Sequence, residues 1–378
     1  MFKSNADIHH ILGDFKIEER MFRFSSFVPR LYNYCKSLGF EPGKIMPSRA
    51  FCSDENQGFP IILISKHFGI FPFNHGQVGG IVATDRHGPH AEHGKDMVMI
   101  QASHVGYDPE TQEFGTYRRM CTEHRDISAS CGKIDHVLSW YEEEYQFAIN
   151  NIMVEKVGAD THIFIDNQLL DSERCEGLIL DLDRLIEYDN NQLHPIDSLC
   201  TSKSFKLKAE LADKIQVTEE RQPIGKGLRP EYFHFKRKIH GDIEGYGHLD
   251  RNLLNVMQWV VSSGSPLLVA AMINTQVEFD RAYRTIVKAP GYRNKRLVFI
   301  AGLNIDISPR EGELFPITKF VPWAAYIQLP DGTHKTIEQE ELYNLLRAQS
   351  EENPDEIKMD EAIQIMEDAQ EVILKMPD

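Results

Sequence analysis

The feature that most limits the fold is a set of short apolar runs, each too brief for a typical helix and bounded by polar or glycine-rich sequence. Residues 96–108, DMVMIQASHVGYD, hold the sharpest of them. Met97 to Ile100 read as a buried strand that ends in small and polar residues, with His104 and then Gly106 beyond. FPIILISK (59–66), THIFIDN, GLILDLDRL, PLLVAAMI, RLVFIAGLNIDI and WAAYIQL share this strand-like character. Helical patterns alternate with them. One covers 22–38, with Pro29 interrupting and Gly39 as its C-cap, and another covers 135–158, ending at Gly158. LDRNLLNVMQWVVSS, QVEFDRAYRTIVK and an acidic amphipathic tail from about residue 335 add more. The alternation predicts an α/β fold whose sheet is at least partly parallel.

The segment KIMPSRAFC is expected to be extended. Residues 68–96 and 105–133 read as irregular, with a short helix after Gly80. A polar stretch at 201–231 reads as a linker or boundary between a domain at 1–200 and a C-terminal α/β or α+β region at 232–378. The acidic tail is most simply a solvated helix face.

Composition removes several functions. A net charge of −16 argues against a nucleic-acid partner, because phosphate binding needs clustered Lys and Arg. No window holds 18 consecutive apolar residues, so no membrane span is expected, and the charged N-terminus does not read as a signal peptide. A cytoplasmic location follows as an expectation. Cys35, Cys52, Cys121, Cys131, Cys175 and Cys200 include no CxxC pair and are read as reduced thiols, core residues or metal ligands. GKGLRP at 225–230 lacks the spacing of a P-loop, and GQVGG at 76–80 is not GxGxxG, so no nucleotide site is assigned.

Chemistry concentrates around His104. Eight of the 16 histidines fall between His67 and His136. Upstream, AFCSDENQG places Cys52 and Asp54 two apart, on one side of an extended chain. Downstream, SASCGKI sets Cys131 in a turn. Cys52, His104 and Cys131 would form a Cys2His zinc site with a fourth position for water. Spacing alone leaves open that these are three unrelated polar residues, and Cys121 competes with Cys131 for the third place.

The order C-x-D-E, then S-H-V-G at 103–106, then C-G within SASCGK resembles the limiting-carbon-dioxide-inducible protein B/C family. These are theta-type carbonic anhydrases, similar in fold and metal site to the beta-type enzymes. FGIFPFNHGQVGGIVATDRH stands where that family has a glycine-rich, aromatic stretch. The resemblance runs over roughly residues 25–200 and implies a beta-carbonic-anhydrase-like sheet flanked by helices. It implies Zn2+ held by Cys52, His104 and Cys131, and reversible hydration of carbon dioxide to bicarbonate by a zinc-bound hydroxide. Asp54 would take the place of the aspartate that pairs with an arginine two residues later in the beta-type pattern. Asn56 stands there instead, so the arginine is sought elsewhere: Arg86 first, then Arg118 or Arg119.

His75, His87, His90 and His93 are expected as proton acceptors, and Phe71, Phe73 and Tyr107 as apolar walls for a small uncharged substrate. Gly76, Gly79 and Gly80 would let backbone approach the pocket, and Gly106 would free the chain to turn away after His104. A homodimer or higher homo-oligomer is expected by analogy. Two other functions compete. One is a zinc-containing regulatory protein of inorganic-carbon metabolism without catalysis. The other is a hydrolase with Cys52 or Cys131 as nucleophile.

Overall fold

The computed structural model describes residues 12–83, 96–118, 127–170, 176–218, 220–239, 245–310, 313 and 315–369. The chain divides into two compact units, taken over their described residues. One is formed chiefly by Lys16–His104 and Glu278–Asp378, the other chiefly by Val105–Arg118 and Asp126–Val277.

The first unit is built on an eight-stranded mixed sheet. Its elements are β1 (Phe22–Arg23), α1 (Phe24–Ser37), β2 (Ile45–Ala50), α2 (Gly58–Phe68), β3 (Phe73–Asn74), β4 (Asp96–Asp108) as far as His104, α3 (Pro266–Lys288) from Glu278 on, β5 (Leu297–Ile307), β6 (Ile317–Gln328), β7 (His334–Glu338), α4 (Gln339–Arg347) and α5 (Met359–Glu367). The strand order is β1-β6-β5-β4-β2-β3, with β7 beside β6 and the two-residue strand Glu113–Phe114 beside the end of β4 as the eighth. β2 runs parallel to β3 and to β4, while β1, β5 and β7 pair antiparallel with β6.

β4 explains the apolar run that opened the sequence. Val98, Ile100 and Ala102 enter one cluster, with Phe24, Phe27 and Leu31 of α1 and Phe320 of β6. Met97 and Met99 enter another, with Phe279, Ala282 and Ile286 of α3. Both faces of the strand are therefore covered by helices, and a strand buried on both faces needs a continuous apolar run. In the first cluster Phe27 stacks on Phe320 at 4.0 Å between centroids, and Phe24 meets Phe51 edge-on at 6.2 Å. Fully burying each such ring stabilises by about 2–3 kcal/mol.

Several sequence expectations change. FPIILISK is the helix α2, closed by Gly69 in the left-handed conformation, and PLLVAAMI opens α3. Both runs carry a proline near the start, Pro60 and Pro266, where a helix tolerates it because the first amides have no intrahelical acceptor. The helix expected over 135–158 is Gly132–Asn151. It is followed by the strand Met153–Val157, and Gly158 turns that strand into Asp160–Asp166. Pro29 sits inside α1 without ending it.

The second unit carries a five-stranded sheet, ordered Asp197–Ser198, Ser202–Lys206, Asp160–Asp166, Met153–Val157, Gln222–Pro223. Helix Gly132–Asn151 lays Tyr141 and Tyr145 against Phe235 and Phe233 of a two-stranded ribbon. Residues 201–231 contain the strand Ser202–Lys206 and the helix Ala209–Ile215. Among the described residues no helix is long and apolar enough to cross a membrane.

Candidate metal centre

His104 lies near the end of β4, two residues beyond Ala102, and the period-2 alternation gives it the same face. It is fully buried. Its Nδ1 is 2.9 Å from Oδ2 of Asp306 on β5. Asp306, also fully buried, accepts from Gln57 Nε2 at 2.7 Å and from Thr318 Oγ1 at 3.0 Å. Gln57 is fixed in turn, its Oε1 accepting from Asn304 Nδ2 at 2.7 Å. Each neighbour of Asp306 has a hydrogen to give, so the carboxylate acts as acceptor. His104 then carries its proton on Nδ1 and keeps the Nε2 lone pair for another partner, the arrangement that orients metal-bound histidines.

Cys52 follows β2 by two residues and is buried. The Gly79 N–H donates to its Sγ at 3.3 Å. Gly80, at φ +79°, lies so close to β4 that a Cβ there would stand 2.2 Å from the Ala102 carbonyl oxygen. Asp54 precedes the turn Glu55–Gln57, and its Oδ1 accepts from the Asn56 N–H at 3.1 Å. Its other oxygen, Oδ2, is 3.9 Å from His104 Nε2. Burial pushes the Asp54 carboxyl above its ordinary value, opposed by His104 and by the Asn56 N–H.

Cys131 is the N-cap residue of helix Gly132–Asn151 and is fully buried. Gly106 secures the approach to it. This residue lies on β4, and its N–H donates to the Ser130 carbonyl at 2.8 Å, while its own carbonyl accepts from Gly115 N–H at 2.9 Å. A Cβ at Gly106 would stand 2.5 Å from the Thr116 carbonyl oxygen. Glycine here does not release the chain, as the sequence suggested; β4 continues to Asp108 and the glycine admits neighbouring backbone.

The ligand atoms of Cys52, His104 and Cys131 lie within 4.8 Å of one another, and all three residues are buried. This Cys-His-Cys group could hold a metal ion, and thiolate and imidazole donors are compatible with zinc.

No family model matches the chain, and no curated protein matches it. Among solved structures it is similar to the crystal structure of PtLCIB4, a homolog of the limiting CO2-inducible protein LCIB. The TM-score is 0.50 and the identity 12%, covering 84% of this chain and 95% of that one. A mutant form of PtLCIB4 matches at the same TM-score and identity, over 84% of this chain and 93% of that one. This chain has an LCIB-like fold. At such identity the likeness is one of fold, and it agrees with the family resemblance carried by the sequence motifs.

Within the LCIB-like fold the other candidates are placed as follows. Arg86 and Arg119 lie outside the described residues, as do His87, His90, His93, Cys121 and Cys175. Arg118 reaches Asp108 Oδ2 at 3.1 Å and Glu110 Oε2 at 2.6 Å. Among the described residues no arginine pairs with Asp54. His75 is buried, not poised at a mouth, and burial pushes its pKa down to about 4, so it stays neutral at neutral pH. Phe71 and Phe73 are 65% and 40% exposed. Tyr107 packs on Phe114, with 4.9 Å between centroids. Cys35 is a core residue of the α1 cluster, and Cys200 is exposed.

Sequence reasoning missed Asp306 and Gln57. A signal existed for the first: in RLVFIAGLNIDI, Asn304 and Asp306 are polar residues on one face of a buried strand, where charged groups are rare unless partnered.

Proposed function

We propose that this protein is a zinc-dependent carbonic anhydrase that interconverts carbon dioxide and bicarbonate. The observation that carries the reading is the buried Cys52–His104–Cys131 donor set, gathered within 4.8 Å. The LCIB-like fold and the family resemblance of the motifs support it. Three protein donors are the number found at catalytic zinc, where a fourth position stays open; structural sites close with four. When bound, zinc would act as a Lewis acid that lowers the pKa of a coordinated water toward 7, supplying hydroxide at neutral pH.

The chain does the rest. Cys52 and Cys131 give thiolates, and Asp306 holds His104 so that Nε2 is the donor nitrogen. Asp54, outside the donor set with Oδ2 3.9 Å from Nε2, would accept a hydrogen bond at Oδ2 while the Asn56 N–H donates to its other oxygen. The buried surroundings keep bulk water from competing for these contacts.

A second reading has its own observation. Asp54, with Oδ2 3.9 Å from His104 Nε2, is near enough to become a fourth ligand, giving a closed centre in a regulatory protein. Metal content and carbon dioxide hydration, measured on the same samples of wild type and Cys131→Ala, separate these readings. One zinc per chain with activity, both lost in the variant, is the expected result. Zinc without activity favours the closed centre. A wild type that holds no zinc refutes both.

A further inference from the structure

We infer that Glu278 and Arg281 are positioning residues for the Cys52 sulfur, acting through the loop that carries Gly79. The inference rests on the metal-centre reading only for its purpose; the brace itself is a matter of geometry.

Residues 75–83 form a narrow loop closed by its own backbone. Ala83 N–H donates to the His75 carbonyl at 2.7 Å, and Gln77 N–H to the Ile81 carbonyl at 2.9 Å. The tip is the turn Val78–Gly80. Its outward bonds include Gly79 N–H to Cys52 Sγ at 3.3 Å and Gln101 Nε2 to the Gly80 carbonyl at 3.2 Å.

The base of the loop is held by α3. Glu278 Oε2 accepts from the Val82 N–H at 2.7 Å. Arg281 donates to the Val82 carbonyl and to both carboxylate oxygens of Glu278, at 3.1 Å from Nε and 2.6 Å from Nη2. One ion pair thus grips both backbone groups of a single residue.

Glu278 is fully buried, and Phe279 and Ala282 beside it on α3 belong to an apolar cluster. A buried carboxylate is costly unless it is paired and hydrogen-bonded, and apolar residues often fill such space at less cost. What an apolar side chain cannot supply is direction. The pair fixes the path of the backbone at Val82, three residues from Gly79 in a loop tied across by its own bonds. A shift at the base therefore reaches the amide on the sulfur. Their hydrogen bonds to Val82 and to each other act on the backbone of the loop, so their part is to position.

The test uses the full chain as purified, in wild type, Glu278→Gln and Arg281→Lys. Glu278→Gln keeps the shape and removes the charge that Arg281 grips. Arg281→Lys keeps the charge and loses the fork. Two readouts are taken. Amide hydrogen exchange at Gly79 and Val82 needs no metal. Cobalt(II) titration, followed by the sulfur-to-cobalt absorption band, reports the thiolate donors directly.

In Glu278→Gln both amides are expected to exchange about tenfold faster, with α1 amides unchanged. Cobalt binding should weaken about tenfold with an altered band, the usual scale for losing an outer support of a ligand. Arg281→Lys should show the same effects, smaller. If Val82 loosens but Gly79 exchange and the cobalt band stay as in wild type, the brace does not reach the sulfur and the inference falls. If Glu278→Gln fails to fold, Arg281→Lys decides by the same criteria. A wild type that takes up no cobalt refutes the metal reading, and the Gly79 exchange then decides the brace alone.

Discussion

An imidazole has two nitrogens, and a metal ligand must keep the lone pair on the right one. For His104 the selection rests with Asp306, whose Oδ2 takes Nδ1 at 2.9 Å and Gln57 Nε2 at 2.7 Å. Two substitutions separate its geometry from its charge. Asn at this position can still accept from His104 and turn its amide toward the Thr318 hydroxyl. Asp306→Asn is therefore expected to weaken zinc binding about tenfold, the lower end for an outer partner, and Asp306→Ala about a hundredfold. Competition against a chelator of known affinity measures both. Equal affinity in the alanine variant and wild type would separate Asp306 from the centre. At this scale the three candidate donors were legible in the sequence because cysteine and histidine announce themselves by type. Asp306 was not, because its partner His104 lies about 200 residues away, and no local pattern links a buried aspartate to one particular ring.

Elements were read well where one period dominated and poorly where an apolar run was too short to show a period. β4 and α1 follow from their patterns, and α2 and the start of α3 do not. FPIIL and PLLVAAMI are nearly continuous apolar runs, which a helix and a buried strand satisfy equally. The prolines at their starts carried the deciding information, since proline suits a first helical turn and removes a donor from a sheet ladder. The element that matters most for the site is the end of β4. Its Gly106 admits the Thr116 and Ser130 backbones, with a virtual Cβ 2.5 Å from one and 3.0 Å from the Ser130 Cβ. Because a backbone oxygen has little freedom to give way, Gly106→Ala should cost about 1–3 kcal/mol and move Ser130, and with it Cys131. Thermal melting and zinc stoichiometry check both effects. Gly132→Ala is the control, since a Cβ there meets nothing within 4 Å although the residue adjoins Cys131. A Gly106→Ala protein with wild-type melting and full zinc would contradict this account of the strand end.

At the scale of the whole molecule, the large sheet joins strands from residues 22–108 to strands from 297–338. Alternation of helix and strand shows that such a sheet exists, but strand order is set by packing across distant sequence, and no single stretch records it. The same packing encloses a histidine that must stay neutral. His75 is buried, and its pKa falls from 6.5 to about 4. Burial is the main cause, the Arg49 charge adds to it, and the Ala83 backbone pulls the other way. His67, beside Asn353 and Glu356, is shifted in the same direction, also mainly by burial. A histidine with a depressed folded pKa binds protons more readily in the unfolded chain, so its contribution is full above the unfolded value. It is lost as pH falls from 6.5 toward about 4. For His75 this amounts to at most about 3 kcal/mol. Urea unfolding of wild type and His75→Gln at a series of pH values between about 7 and 4 isolates the effect, because carboxylates titrate alike in both. The variant should lose stability less steeply with acid than wild type across that window. Parallel curves would mean that His75 finds a proton's partner in the folded chain and does not hold the acid limb of stability.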